Sequence, residues 1–402
     1  MRVMLVHAQY RQYGGEDAAV AAELAELPRH GFTVSSFMAR NVALEAQSQP
    51  RAGLHALWSA TVYRDLSQRI AEQRPDLLHV HNLFPALSAS VYAAARQQGV
   101  ALVQSLHNFR LYCANGLFLR AGADCRLCSE TLLPWPALLH RCHPDGLGMS
   151  LAAAGQGLMM RRLGIRRGLV DRFLALSEAS RQQFIAAGLP EARIGVKPNF
   201  IADPGVEAVM PERRGLLYAG RLSPEKGIDT ILALAEALGS SHPDTTLTIA
   251  GSGPLEAMVR EAAGRLGNLR LLGRVDAATL SREMRQAALL LFPSRALEHF
   301  PMALHEALAH GLPILAPARG AMADVLVRGG GWLLPAEATA ADWAAEIAAL
   351  LAEPARLAEA GQQARRLYET DFSAARVAER QRAIYAEAIA AAAARRRQAV
   401  PA

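Results

Sequence analysis

Along most of this chain short apolar runs of strand length alternate with amphipathic stretches of helix length, and the alternation stops once and then restarts. Strands and helices in strict succession at this spacing imply parallel, doubly wound sheets. In the first half the apolar runs are Val3–Ala8, the stretch around Val34, Asp76–Asn82, Ala101–His107, Phe173–Ser177 and Ile194–Asn199. Residues 200–213, FIADPGVEAVMPER, break the rhythm with two prolines and a glycine and read as a linker. The pattern resumes with GLLYAGR from Gly215, then LTIAG, LRLLG, LLLF and PILA. At 402 residues the chain is also too long for one typical core. The expected organisation is an N-terminal α/β domain over 1–199 with an insert at 110–147, a linker at 200–213, and a second α/β domain over 214–370. A helix over 371–402 completes it.

Composition narrows the partners. Hydrophobic content of 51% with 20% charged residues is that of a globular protein. A net charge of +6 suits anionic partners, either a nucleotide diphosphate or an anionic membrane surface. Nucleic acid is disfavoured, because no basic patch interleaves with aromatics. The start, MRVMLVHAQY, is strand-like and lacks the apolar core and cleavage site of a signal peptide. No apolar run reaches 18 residues, and the nearest, Leu147 to Val170, is cut by Arg161, Arg162, Arg166 and Arg167. A cytoplasmic protein, at most peripheral on a membrane, is expected.

The most informative stretch is Ser294–Ala316, SRALEHFPMALHEALAHGLPILA. After the strand LLLF, Pro301 suits the first turn of a helix and Gly311 its left-handed stop. The unit carries Glu298 in the loop and Glu306 within the helix among Ala303, Leu304, Ala307 and Leu308. A carboxylate in such small, apolar company needs a partner. One ionised carboxylate offers acceptor oxygens to two vicinal hydroxyls. A second stretch, GLLYAGRLSPEKG, sets Arg221 at a strand end and Lys226 at a helix start. Two fixed cations there suit an anionic group, and a helix N-terminus adds N–H donors.

The spacing E-x7-E followed by A-L-A-x-G-x-P resembles the donor-site signature of the GT-B glycosyltransferases of glycosyltransferase family 4, and R-x4-K resembles that family's diphosphate-binding pair. The resemblance implies a GT-B fold, two Rossmann-like doubly wound parallel-sheet domains facing a central cleft, with the last helix bracing the N-terminal domain. It implies a nucleotide-diphosphate sugar as donor. Glu306 would hold the ribose, Glu298 would face the sugar, and Arg221 and Lys226 would hold the diphosphate. No D-x-D sequence is present in the chain, so a metal on the diphosphate is not required by this reading. Gly251, in the turn GSGP, would line the donor cleft or merely allow a close strand–helix turn. Val275 would meet the base, or sit in an ordinary loop. Where the family often has E-G-F-G, this chain has Glu298-His299-Phe300-Pro301. Pro301 removes one N–H, so Phe300, Met302 and Ala303 are the donor-contacting neighbours. In the N-terminal half, Gly14 and Gly15 would approach the diphosphate and the acceptor, and His107 would stand near the reacting centre. Asn108 follows His107 where Asp is frequent, leaving the partner of His107 open. His79 and His81 read as packing residues or cleft lining.

All four cysteines, Cys113, Cys125, Cys128 and Cys142, lie between Tyr112 and His143 in the pattern C-x11-C-x2-C-x13-C. A C-x2-C pair with flanking cysteines in a cytosolic chain favours metal over disulfide, and four thiolates would form a closed, structural zinc site. His140 and His143 are alternative ligands, and reduced thiols in a loop are the plain alternative. The basic helical stretch Gly146–Phe173 could lie on anionic lipid or pack with a solvated basic face. The expected activity is transfer of a hexose-type sugar to a hydroxyl acceptor, with retention carried over from the family. A polyprenyl-linked saccharide of a surface polysaccharide is the expected acceptor. The alternatives are a GT-B sugar-nucleotide epimerase and a non-catalytic nucleotide-sugar binding protein.

Overall fold

A computed structural model describes residues 1–10, 13–40, 49–205 and 213–399. These form two compact units, residues 1–200 with 377–402, and residues 201–376. The strands in chain order are β1 (Arg2–Gln9), β2 (Thr33–Arg40), β3 (Leu77–Val80), β4 (Ala101–Leu106), β5 (Leu119–Arg120), β6 (Ala123–Asp124), β7 (Arg172–Ala175) and β8 (Ile194–Val196). The second unit continues with β9 (Leu216–Ala219), β10 (Leu247–Ala250), β11 (Leu269–Gly273), β12 (Leu289–Leu291), β13 (Ile314–Pro317) and β14 (Gly331–Leu334).

The first unit holds a six-stranded sheet in the order β2-β1-β3-β4-β7-β8, every pairing parallel. Val3, Met4, Leu5 and Val6 are fully buried. A parallel strand covered on both faces reads as a continuous apolar run rather than an alternation, which is why β1 looks as it does in sequence. Two helices, Gln49–Leu57 and Ala60–Gln73, are separated where Ser59 turns the chain and caps the second through its hydroxyl on Val62 N–H. Pro85 lies in the turn before the next helix, Ser90–Gln97.

The second unit repeats the plan with six parallel strands in the order β11-β10-β9-β12-β13-β14. The helix Ile228–Ser241 buries Ile231, Leu234, Ala235 and Leu238 against Leu216, Leu247 and Leu289. At roughly 1.5–3 kcal/mol for each large apolar side chain buried, that face alone outweighs the helix's modest intrinsic preferences. The described part of the interdomain stretch is tied into this unit. Asp203 pairs with Arg365 at 2.7 Å, and Arg213 reaches the carbonyls of Met284 at 3.0 Å and Ala287 at 3.2 Å. Residues 206–212 of the expected linker lie outside the described residues.

The last helix begins at Ala374, after a wider turn over Tyr368–Phe372, not at Asp371. From Val377 it belongs to the first unit. Gln381 donates to Glu23 at 3.0 Å, and Tyr385 bonds His79 at 2.7 Å.

Candidate active site

In an open parallel sheet the strands fan apart at their carboxyl ends where the order reverses, and that crevice is where ligands bind. In the second unit the reversal lies between β9 and β12. The loops leaving those two strands bring Lys226 and Glu298 together: Lys226 Nζ lies 2.6 Å from Glu298 Oε1. Ser294 donates its hydroxyl to the same oxygen at 2.5 Å. Both partners stay partly open, with side chains 23% and 14% exposed. Lys226 also stands 5.6 Å above the Phe292 ring. Arg221 is exposed, and among the described residues its guanidinium has no partner.

The backbone is drawn in tightly around this point. Gly227 closes the short turn Pro224–Lys226 at φ +73° and begins the helix Ile228–Ser241. A Cβ there would fall 2.1 Å from the Pro293 carbonyl, so only glycine brings the two loops this close. Gly251 follows β10, and a Cβ on it would fall 1.8 Å from the Gly220 carbonyl. Glycine here lets the turn pack closely beside the Arg221 loop. Val275 is half-buried just ahead of Asp276, which caps the helix Ala277–Gln286 by accepting from Thr279 N–H at 2.8 Å.

Glu306 lies one turn into the helix Met302–Ala309, whose other positions Leu304, Ala307, Leu308 and Ala309 are buried. Small residues let this helix approach the helix Pro354–Leu367 closely: a Cβ on Gly361 would fall 2.6 Å from the Gly311 carbonyl. The Glu306 carboxylate has no hydrogen-bond partner among the described residues, and burial without a counter-charge pushes its pKa up to about 7. The N–H groups of Met302 and Ala303, in the first turn, precede the first intrahelical bonds, those of Leu304 and His305 to the Pro301 carbonyl. His299 is buried, and desolvation lowers it to about 4, so it is neutral.

Phe300 points inward: its ring is 3% exposed and packs 5.5 Å from His305 and 5.2 Å from Phe372, anchoring the loop. Aromatic residues in a loop motif carry no sequence mark of which way they point.

In the first unit the order reverses between β1 and β3. Gly14 caps the helix Gly15–Glu26, so Gly15 is already helical rather than in the loop. Gly14 N–H donates to Asp17 at 2.9 Å, and His7 bonds the other Asp17 oxygen at 2.9 Å. Burial opposes ionisation of Asp17, but the bonds from His7, Gly14 and Tyr10 outweigh it and hold the carboxyl below its usual range. Residues 11 and 12 of the same loop lie outside the described residues.

His107 follows β4. Its partner is His81, Nε2 to Nδ1 at 2.8 Å, which answers the question Asn108 left open. Burial first, then the charge of Lys197, lowers His107 well below the usual histidine range, so it is a neutral imidazole. His79 bonds Ser105 at 2.8 Å and Tyr385 at 2.7 Å. Beneath them Glu23 pairs with Lys197, both fully buried. Burial opposes that charge too, but Lys197, His79 and His81 hold Glu23 well below its usual range.

Sequence reading missed this network, and it also missed a cluster nearer the surface. Tyr10 donates to Glu16 at 2.7 Å, Asn108 reaches both at 3.4 Å, and Arg110 reaches the Tyr10 hydroxyl at 3.3 Å. The adjacent acidic pair in GGED and the run HNFR were the available signals. Glu23 and Lys197 gave none, because their partners are 174 residues apart.

Comparison with known proteins places these features. Residues 3–199 match the family model described as glycosyl transferase 4-like domain, and residues 203–367 match that described as glycosyl transferases group 1. The chain is 33% identical over 211 residues to the phosphatidyl-myo-inositol mannosyltransferase of Mycolicibacterium smegmatis, covering 51% of this chain and 54% of that one. It thus spans about half the length of that curated relative. Among solved structures it is similar to sucrose-phosphate synthase from Thermosynechococcus elongatus, with TM-score 0.68, 17% identity, and 97% and 100% of the two chains covered. It is also similar to Anabaena HepE in complex with UDP-glucose, with TM-score 0.66, 17% identity, and 97% and 99% covered. The two parallel-sheet units are those of the GT-B fold.

Proposed function

The chain belongs to the group 1 glycosyltransferases, the GT-B enzymes of glycosyltransferase family 4, and on that premise we propose that it transfers a hexose-type sugar from a nucleotide-diphosphate sugar to a hydroxyl acceptor, with retention. The observation that carries the reading is the Lys226–Glu298 pair at the β9/β12 crevice, with Arg221 open beside it in the chain and Glu306 lacking a donor among the described residues. A diphosphate would take the two cations, which then stabilise the charge that grows as the leaving group departs. Lys226 would exchange part of its contact with Glu298 for phosphate oxygens. That frees Glu298 to accept from a sugar hydroxyl. Glu306, ionised, would accept from both ribose hydroxyls, and the Met302 and Ala303 N–H groups would add donors. Val275 would lie against the base. On the acceptor side, neutral His107, oriented by His81, offers a hydrogen bond without charge, and Gly14 with the Tyr10, Glu16, Asn108 and Arg110 cluster completes the surface.

The proposed acceptor is a lipid-linked saccharide of surface polysaccharide synthesis, reached by peripheral contact with an anionic membrane. No helix among the described residues is long and apolar enough to cross a membrane. Leu132, Leu133, Trp135, Leu139, Leu147 and Leu151 are exposed, as are Arg162, Arg166 and Arg167. Exposed leucines and a tryptophan beside arginines suit an interface with acidic headgroups.

Labelled nucleotide sugars incubated with the protein and a polyprenyl-linked acceptor, with and without chelator, test the reading. Label moving to the acceptor, undiminished by brief chelation, is expected. Formation of an epimeric nucleotide sugar, or binding with no turnover, would replace it with one of the alternatives. Co-sedimentation with anionic but not neutral phospholipid vesicles tests the membrane contact.

A further inference from the structure

Between β4 and the helix Leu147–Met160 the chain builds a segment with little regular structure: a helical turn over Phe109–Leu111, two strands of two residues and one helix of four, Pro136–Leu139. Three non-glycine residues here, Phe118, Ala121 and Arg141, have φ of 51°, 50° and 47°. Such left-handed conformations cost of order 1 kcal/mol each and persist only where the surroundings over-determine them. Large apolar side chains that could have formed a core point outward instead, with Leu132 75% and Leu139 66% exposed.

The segment buries Phe109, Phe118 and Ala137, and with them it buries sulfur. Cys113 and Cys128 are buried, Cys125 and Cys142 partly so, and all four are free thiols. All four line one cavity of about 10 Å³, together with Asn115, Phe118, Pro136 and His140. That is room for a single atom-sized centre. Backbone hydrogen bonds fix three of the four cysteines beside it. Cys113 N–H donates to the Phe109 carbonyl at 2.8 Å, Cys125 N–H to Phe118 at 2.8 Å, and Cys142 N–H to Ala137 at 3.1 Å. His143, an alternative ligand by sequence, does not line the cavity; its ring lies 5.9 Å from that of Phe84.

Among the described residues, the trio whose ligating atoms come within 4.8 Å of one another is Glu23, His79 and His81. It is not a metal site by its chemistry, because the Lys197 ammonium already sits on Glu23 and Gln381 takes its other oxygen. The thiols are set wider than that trio. A tetrahedral ion at about 2.3 Å from each sulfur would draw them to about 3.8 Å apart.

We infer that Cys113, Cys125, Cys128 and Cys142 bind one zinc ion as four thiolates, and that this ion pins the loops of the segment together. The site does not rest on the transferase reading. It bears on it, because the turn it pins begins at Asn108: Phe109 N–H donates to the Gly116 carbonyl at 2.9 Å, and Gly116 N–H to Cys113 at 3.0 Å.

Elemental analysis and native mass spectrometry of wild-type protein purified without added metal decide the matter. About one zinc per chain is expected, with four thiols that react with a thiol reagent only after the metal is chelated. His140→Ala should keep the metal, while Cys125→Ser with Cys128→Ser should lose it. Cobalt exchanged into the wild-type protein should show the visible bands of a tetrahedral tetrathiolate, a readout that needs no variant to fold. Substoichiometric metal with four reactive thiols, a mass showing disulfides, iron with acid-labile sulfide, or loss of metal in His140→Ala would each overturn the assignment.

Discussion

Glu306 gives the sharpest test, because the structure makes it expensive in the free protein and useful only with ligand. Its carboxyl has no donor among the described residues, and its pKa is raised by burial from 4.5 to about 7. Hydrogen bonds from two ribose hydroxyls favour the ionised form, so binding should expel a proton below that value. If the complex restores an ordinary carboxylate pKa, affinity falls nearly tenfold per pH unit below 7, or roughly 70-fold between pH ~8 and ~5, about 2.5 kcal/mol. The ligand should be an intact nucleotide sugar, whose bridging diphosphate takes up no proton in that range, whereas a free nucleoside diphosphate does. Calorimetry across pH, in buffers of different ionisation enthalpy, reads both the affinity and the proton released. Glu306→Gln should bind weakly at every pH, with a flat profile. Stability should move the other way. A group whose folded pKa is raised binds more protons folded than unfolded, so the folded wild type loses stability as pH climbs from about 4.5 to 7, by about 3 kcal/mol. Glu306→Gln should therefore melt higher than wild type at pH ~8 and match it at pH ~4, below both values. A steep pH dependence retained in the Gln variant, or wild-type affinity in that variant, would refute the ribose role.

Three further outcomes follow from the same geometry. Arg221→Ala and Lys226→Ala should each lower turnover by about two orders of magnitude, near 3 kcal/mol, with the fold intact; steady-state rates and circular dichroism check this, and wild-type turnover would sink the diphosphate assignment. Glu298→Gln should leave nucleoside diphosphate affinity nearly unchanged while reducing transfer, so equal losses in calorimetry and in rate would contradict its place on the sugar side. Lys197→Met should destabilise the first unit by about 3–5 kcal/mol by leaving Glu23 buried and unpaired, with Glu23→Gln in the same chain recovering much of it; denaturant titration measures both, and additive losses would rule out the pairing.

The sequence by itself determined the two parallel sheets, because strands buried on both faces must be apolar throughout and their helices must carry one apolar stripe. It also marked Arg221, Lys226, Glu298 and Glu306 as candidates, since they lie in two local segments whose strand–loop–helix form is written in neighbouring residues. The cysteine spacing was legible for the same reason. Tertiary structure decided what depends on residues far apart in the chain. It set Lys226 against Glu298 across 72 positions, which only the strand order β9 beside β12 explains. It gave His107 its partner in His81, on the neighbouring strand, and it buried Glu23 with Lys197, across 174 positions. It turned Phe300 inward, a choice made by His305 and Phe372 rather than by its own motif. Local pattern encodes which face of an element is buried; which side chains then meet is set by the order in which the strands pair.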